Sequence, residues 1–228
     1  MKRVVIIGAG AQGREVAEIL RHPSRRDDGL SVIGFVDESP DLRDKVIDDL
    51  PVLGDWSWFE GVDRGEVAVI CASGFSHIRK SMAERAEAAG LSFANAVSHA
   101  AYVSPDARIG TGVVIYPNSV VCRGTSIEDH AVVNAGSIVS HDTKVGRYGT
   151  VNPGVSLAGN VSVGEGCYLG IGSSVIQGIT IGAWTTVGAG AAVVRDLPDN
   201  VTAVGVPARV IKTQEKGWHE RSTGFAGK

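Results

Sequence analysis

Two stretches of this chain hold residue types that could do chemistry. His141 is followed directly by Asp142. An imidazole with a pKa of about 6.5 can take up a proton at neutral pH, and an adjacent carboxylate can orient the ring and make it more basic. Near the start, Val4 to Ile7 form a β-branched run, then come Gly8-Ala9-Gly10-Ala11-Gln12-Gly13 and a segment from Arg14 to Leu20 with helical spacing of Val16, Ala17 and Leu20. Strand, Gly-x-Gly-x-x-Gly turn and helix let backbone N–H groups approach a diphosphate at the positive end of the helix. A second run, Ser31 to Val36, ends in Asp37-Glu38, where a carboxylate could accept hydrogen bonds from a ribose or base. A third, Val67 to Cys71, leads through Ala72-Ser73-Gly74 into a helix expected from Ser76 to Ala89.

The element that must position His141 is a repeat. Every sixth residue from Val103 to Val193 is aliphatic, and small or β-branched residues such as Ala107, Ser119, Ala131, Ser137 and Thr143 fall four places after each. A six-residue unit makes one short strand and a turn, and three units make a triangular coil whose neighbours stack at about 4.8 Å with the aliphatic residues inside. Residue 159 then lies one coil after His141, and it is glycine. Its exposed N–H would face a developing oxyanion one rung from the base, an arrangement suited to acyl transfer.

The same arithmetic places His99, His130 and His141 at three different positions around the triangle, so within one subunit they cannot jointly hold a metal. His130 is expected as an exposed turn residue and His99 as part of a linker from Phe93 to Ala101. Cys122 and Cys167 are expected on different faces, so a bridge is not anticipated, and with Cys71 they are expected as free thiols. No cysteine is expected on the His141 face, and no covalent acyl-enzyme is required.

The 228 residues include 30 glycines and only 6% aromatics, which suits a narrow coil with permissive corners. A formal net charge of −3 gives no basic footprint for nucleic acid or an anionic membrane. The run after Lys2-Arg3 is too short for a signal peptide or a spanning segment, so a cytoplasmic protein is expected. The expected division is an α/β Rossmann-like half-domain over residues 1–95, a β-helix over 96–212 and a flexible tail over 213–228. The first part is too short for a second mononucleotide half, so a single nucleotide diphosphate is the better-sized ligand.

Taken together, Gly8-Ala9-Gly10-Ala11-Gln12-Gly13, Phe35-Val36-Asp37-Glu38, Asn134 ahead of Ser140-His141-Asp142, Leu157-Ala158-Gly159-Asn160-Val161, Cys167-Tyr168-Leu169-Gly170-Ile171-Gly172 and Val204-Gly205-Val206-Pro207-Ala208 resemble one family. It is the bacterial acetyltransferases of nucleotide-linked amino sugars, including the bacillosamine-pathway and perosamine N-acetyltransferases and the related sialic acid O-acetyltransferases. The resemblance implies a left-handed parallel β-helix, a homotrimer, acetyl-CoA in a groove between two β-helices, and no metal. It implies His141 as the base with Asp142 raising its basicity. It also implies Gly10, Ala11, Gln12, Asp37, Glu38, Gly74 and Asn134 at the sugar nucleotide, and Thr150, Gly159, Ile171 and Ala189 along the acetyl-CoA groove. Family members often carry His where this chain has Gln12 and Thr150, and some carry Glu where it has Asp142. The expected activity is acetyl-CoA-dependent N-acetylation of a nucleotide-linked amino sugar in bacterial surface glycan biosynthesis. Acetylation of a sugar hydroxyl and a non-catalytic nucleotide-sugar-binding role are the alternatives.

Overall fold

The computed structural model describes residues 2–24 and 29–220. Its N-terminal part is a sheet around β1 (Lys2–Ile7), which pairs in parallel with β2 (Leu30–Val36) on one side and β5 (Val67–Cys71) on the other. Val4, Val5, Ile6 and Ile7 are all buried, because a central parallel strand is covered on both faces. Helix α1 (Ala11–Arg21) turns Gly13, Val16, Ala17 and Leu20 inward, and α2 (Ser76–Ala88) turns Ser76, Arg79, Ala83 and Ala86 inward. A short hairpin, β3 (Val46–Ile47) and β4 (Leu50–Gly54), extends the sheet beside β2, and β6 (Ser92–Phe93) closes its far edge. The strand order is β3-β4-β2-β1-β5-β6. The hairpin and the 3-10 turns Pro40–Leu42 and Trp56–Gly61 have no periodic signal in the sequence, being too short to show one.

From Ala96 the chain winds into a left-handed parallel β-helix of two-residue rungs. Rungs one coil apart pair in register, Val114 with Val132 and Ile115 with Val133. The inner column is sealed: Ile115, Val121, Val133, Val139, Val145, Val151, Leu169 and Val187 are all 0% exposed. Corner residues such as Asn118, Asp142 and Asn160 adopt left-handed backbone angles, which Asn and Asp tolerate better than other side chains do.

The prism has three unlike faces. The first carries Val114, Val132 and Thr150 outward, and the α/β domain covers it: Val114 and Val132 share one buried cluster with Val16 and Leu20. The second presents Tyr102, Val120, Ile138, Ser156, Ser174 and Ala192. The third presents Arg108, Ser126, Lys144, Ser162 and Thr180. After the last rung, Val201–Val204 and Arg209–Thr213 form an antiparallel hairpin that ends the stack.

The structure corrects two expectations about the ends of the β-helix, although its first rung does begin at residue 96 as expected. The stretch from Phe93 to Ala101 is no linker, because Ala96–Val97 pairs with Val114–Ile115 as the first rung. The tail expected to be loose from Thr213 is placed as far as Glu220. Thr213 completes the closing hairpin, and His219 stacks on Trp184 with ring centroids 3.6 Å apart. The rest of that expectation falls on residues 221–228, outside the described residues.

Candidate functional site

The corner between the second and third faces carries His141 and Asp142. Asp142 has φ +56°, and its Oδ2 sits 2.9 Å from His141 Nδ1. The shorter aspartate arm therefore reaches the ring. An ionised carboxylate accepts only, so Nδ1 must donate to it, and Nε2 is left with its lone pair free. The pair is exposed within one subunit, with side chains 56% and 60% accessible, so substrates have access to Nε2.

One coil on, Gly159 lies directly beneath the ring. A Cβ built there would overlap His141 Cε1 and come 2.5 Å from Nε2. The Gly159 carbonyl accepts from Gly178 N–H, whereas its own N–H has no partner among the described residues. Proton acceptor and unpaired donor thus stand on successive coils of one corner.

Ile171 and Ala189, one coil apart, are both exposed, Ile171 by 60%. They sit on the corner between the first and second faces, at the other edge of the second face from His141. One subunit does not bring these two groups together. Thr150 is a plain correction. It is 1% exposed, and its Oγ1 bonds Ser76 Oγ, the Gly74 carbonyl and Arg79 Nη2 at the junction of the two domains. A side chain so enclosed cannot line an open groove of its own subunit.

Gly10, Ala11, Gln12, Asp37, Glu38 and Gly74 lie on the loops that follow the carboxyl ends of β1, β2 and β5 or in the first turn of α1. Gly13 packs α1 onto the strand end, since a Cβ there would overlap the Gly8 carbonyl, whereas Gly10 faces open space in which a phosphate could approach. Asp37 is committed on both oxygens, to the N–H groups of Ala9 and Ser39, each at 2.8 Å. It ties the glycine turn to the end of β2. Glu38 pairs with Arg85 at 2.6 Å, and Arg85 lies over the Trp56 ring. Gln12 and Gly74 meet across the crevice, Gln12 Oε1 standing 3.2 Å from where a Gly74 Cβ would be. Asn134 lies on the β-helix, its Oδ1 accepting from Ala135 N–H at 3.2 Å. One coil before it, Tyr116 is buried in the domain junction.

Three features depart from the sequence-based expectations or were missing from them. His130, expected in an exposed turn, is 1% exposed, stacked on Tyr148 at 5.3 Å and edge-on to Phe93 at 4.4 Å. Burial pushes its pKa down to about 4. Arg79 is wholly buried, donating to the carbonyls of Ser73, His130, Tyr148 and Gly149 as well as to Thr150, so it locks the β5–α2 loop to the β-helix. Its signal was available: Ser76, Arg79, Ala83 and Ala86 have helical spacing, and a cation in an otherwise small stripe marks a buried anchor. Cys122, one coil before Ser140, shares the His141 corner after all, and it is partly exposed. The other two thiols are buried, which pushes both up to about 12.

The family described as the PglD N-terminal domain matches residues 3–86. Among solved structures, the chain is similar to a variant of GDP-perosamine N-acetyl transferase from Caulobacter crescentus in complex with CoA and GDP-perosamine. Identity is 38% over 93% of this chain and 98% of that one, with a TM-score of 0.85. The acetyltransferase domain of PglB from Neisseria gonorrhoeae, in complex with acetyl coenzyme A, is 30% identical over 92% of this chain and 99% of that one, with a TM-score of 0.84. WeeI from Acinetobacter baumannii shares the fold at 23% identity, over 92% of this chain and 100% of that one, with a TM-score of 0.69. No curated protein matches the chain in sequence.

Proposed function

Because the chain belongs to the bacterial nucleotide-sugar acetyltransferase family, we propose that it transfers the acetyl group of acetyl-CoA to the amine of a nucleotide-linked amino sugar, in the making of bacterial surface glycans. The observation that carries this reading is the seat of the dyad: His141 is held by Asp142 at Nδ1, with Nε2 beside the unpaired N–H of Gly159. In the reaction the neutral amine attacks the thioester carbonyl, and His141 Nε2 takes the amine proton directly or through water. The Gly159 N–H steadies the oxyanion until the thiolate leaves.

The sugar nucleotide is proposed to lie along the carboxyl ends of β1, β2 and β5, with its diphosphate at Gly10 and Ala11 and its remaining contacts from Gln12, Asp37, Glu38 and Gly74. Asn134 would serve the same ligand from the β-helix. Asp37 contributes through the loop it fixes as much as through any remaining lone pair. Acetyl-CoA is assigned to Gly159, Ile171 and Ala189.

Those residues stand on two different corners, so the reading includes a homotrimer in which the His141 corner of one copy meets the Ile171 corner of the next across their second faces. That face carries no charged side chain at its outward strand positions, and Tyr102 and Ile138 expose 59% and 42% of their surfaces there. A cytoplasmic location belongs to the same proposal, supported by three unpaired cysteines. Among the described residues no helix is long and apolar enough to cross a membrane.

The test is thiol release from acetyl-CoA with a panel of GDP-, UDP- and dTDP-linked amino sugars, free sialic acid alongside. Release is expected with one amino-sugar nucleotide, reduced about 10²–10⁴-fold in His141→Ala. A loss below tenfold removes His141 as base. Release with sialic acid alone would instead make the chain an O-acetyltransferase, and nucleotide binding without release under any condition would leave a binding protein.

A further inference from the structure

Glycines bracket the dyad on both sides. Gly159 lies under the histidine ring, and Gly124, one coil before Asp142, lies against the carboxylate. A Cβ built on Gly124 would overlap Asp142 Oδ1 and stand 3.3 Å from its Cγ. The opposite oxygen, Oδ2, is the one that holds His141 Nδ1. The Asp142 backbone is fixed by its own N–H to the Arg123 carbonyl, so relief of that overlap falls on the side-chain rotation that also carries Oδ2.

The backbone alone does not demand glycine here. Gly124 has φ +69°, but Asn118 and Asn160 occupy the same turn position in other units at φ +59° and +58°. Asparagine is the side chain that best tolerates that region. Glycine lies under a side chain one coil on at this turn position elsewhere too, Gly112 under His130 and Gly166 under Trp184; at 124 the side chain it makes room for is the carboxylate that holds His141.

We propose that Gly124 is a positioning residue for the acetyl transfer: its missing side chain gives the Asp142 carboxylate the space from which it holds the His141 ring with Nε2 toward the substrates. The proposal rests on the reading of His141 as the base. Any side chain at 124 pushes Oδ1 outward and swings Oδ2 away from Nδ1, and a displacement near 1 Å at a catalytic group costs about 10²-fold in rate.

The test is a double-mutant cycle built on Gly124→Asn, which keeps the left-handed turn while adding a Cβ, together with Asp142→Ala. In the parent enzyme Gly124→Asn should lower kcat about 10²-fold and leave both KM values unchanged, since no substrate contact is touched. In the Asp142→Ala background the same change should cost less than about twofold, because the colliding carboxylate is gone. Backbone strain is common to both backgrounds and cancels. If Gly124→Asn lowers kcat equally in both, or not at all, the proposal falls.

Imidazole ¹⁵N chemical shifts give a readout that needs no activity. The parent should hold the His141 proton on Nδ1, whereas Gly124→Asn should return the ring to a mixture of tautomers. An unchanged tautomer overturns the proposal even in a chain that turns over no tested acceptor, whereas an inactive parent with the expected shift in tautomer would count against the acetyltransferase reading alone. Should Gly124→Asn fail to fold, Gly124→Ala adds the smallest Cβ and serves in the same cycle.

Discussion

A methyl group at position 159 would occupy the space of the His141 ring. Gly159 is not in the left-handed region, so the backbone accepts alanine and the whole penalty falls on the ring. Gly159→Ala is therefore expected to leave the melting temperature nearly unchanged while lowering kcat about 10²-fold, as a displaced base does. A fall in melting temperature with kcat intact would mean that the ring simply relocates. This contact was legible in the sequence because the eighteen-residue coil is uninterrupted, so that 141 and 159 had to stack. The same counting failed for His130, and the resemblance that set Thr150 in the acetyl-CoA groove failed in the same way. Counting gives the angular position of a side chain on the prism but not what covers that position, and both residues lie under the α/β domain.

Helix α2 and the coils beneath it are joined by buried polar groups, and their energetics belong to the junction. Arg79 meets only neutral acceptors, and burial pushes its pKa down to about 10. Arg79→Met removes the donor from several buried carbonyls at once, and unsatisfied groups of that kind cost about 1–3 kcal/mol each before relaxation. A loss of about 3 kcal/mol in urea-derived stability is expected. The loosened β5–α2 loop should raise KM for the sugar nucleotide more than KM for acetyl-CoA. A variant of unchanged stability would show that the carbonyls find other partners. His130 adds a pH dependence. Its folded pKa of about 4 lies below the ordinary histidine value, so unfolding takes up a proton between those limits. The stabilisation is complete above about pH 6.5 and is lost as the pH falls toward 4, about 2 kcal/mol of it by pH 5. Urea midpoints at pH 7 and pH 5 should differ accordingly, and His130→Asn, which keeps the left-handed turn, should narrow the gap. Neither anchor is periodic in the way the inner column is, and the short elements from Pro40 to Gly61 lack the length that makes a pattern readable.

At the scale of the whole molecule, each face of the prism has its own outward chemistry. The first face is spent on the α/β domain. The third presents Arg108 and Lys144, which favour water, and Lys144 pairs with Glu128 at 2.7 Å. The second presents a tyrosine, a valine, an isoleucine, two serines and an alanine along its six strands, flanked by the His141 corner on one edge and by Ile171 with Ala189 on the other. Closed threefold packing through that face would bury exposed apolar surface and would join, between copies, the two halves of the groove that one copy holds apart. Ile138→Arg places a charge at the centre of the proposed interface, where burial without a partner is costly. Light scattering should then return a monomer mass in place of three chains, and transferase activity should disappear with it although His141 and Gly159 are untouched. Lys144→Glu on the third face should alter neither. Loss of activity in an Ile138→Arg protein that remains trimeric would separate the assembly from the chemistry. A fully active monomer would mean that Ile171 and Ala189 have no part in holding the acyl donor, and that His141 with the Gly159 N–H works from a single prism.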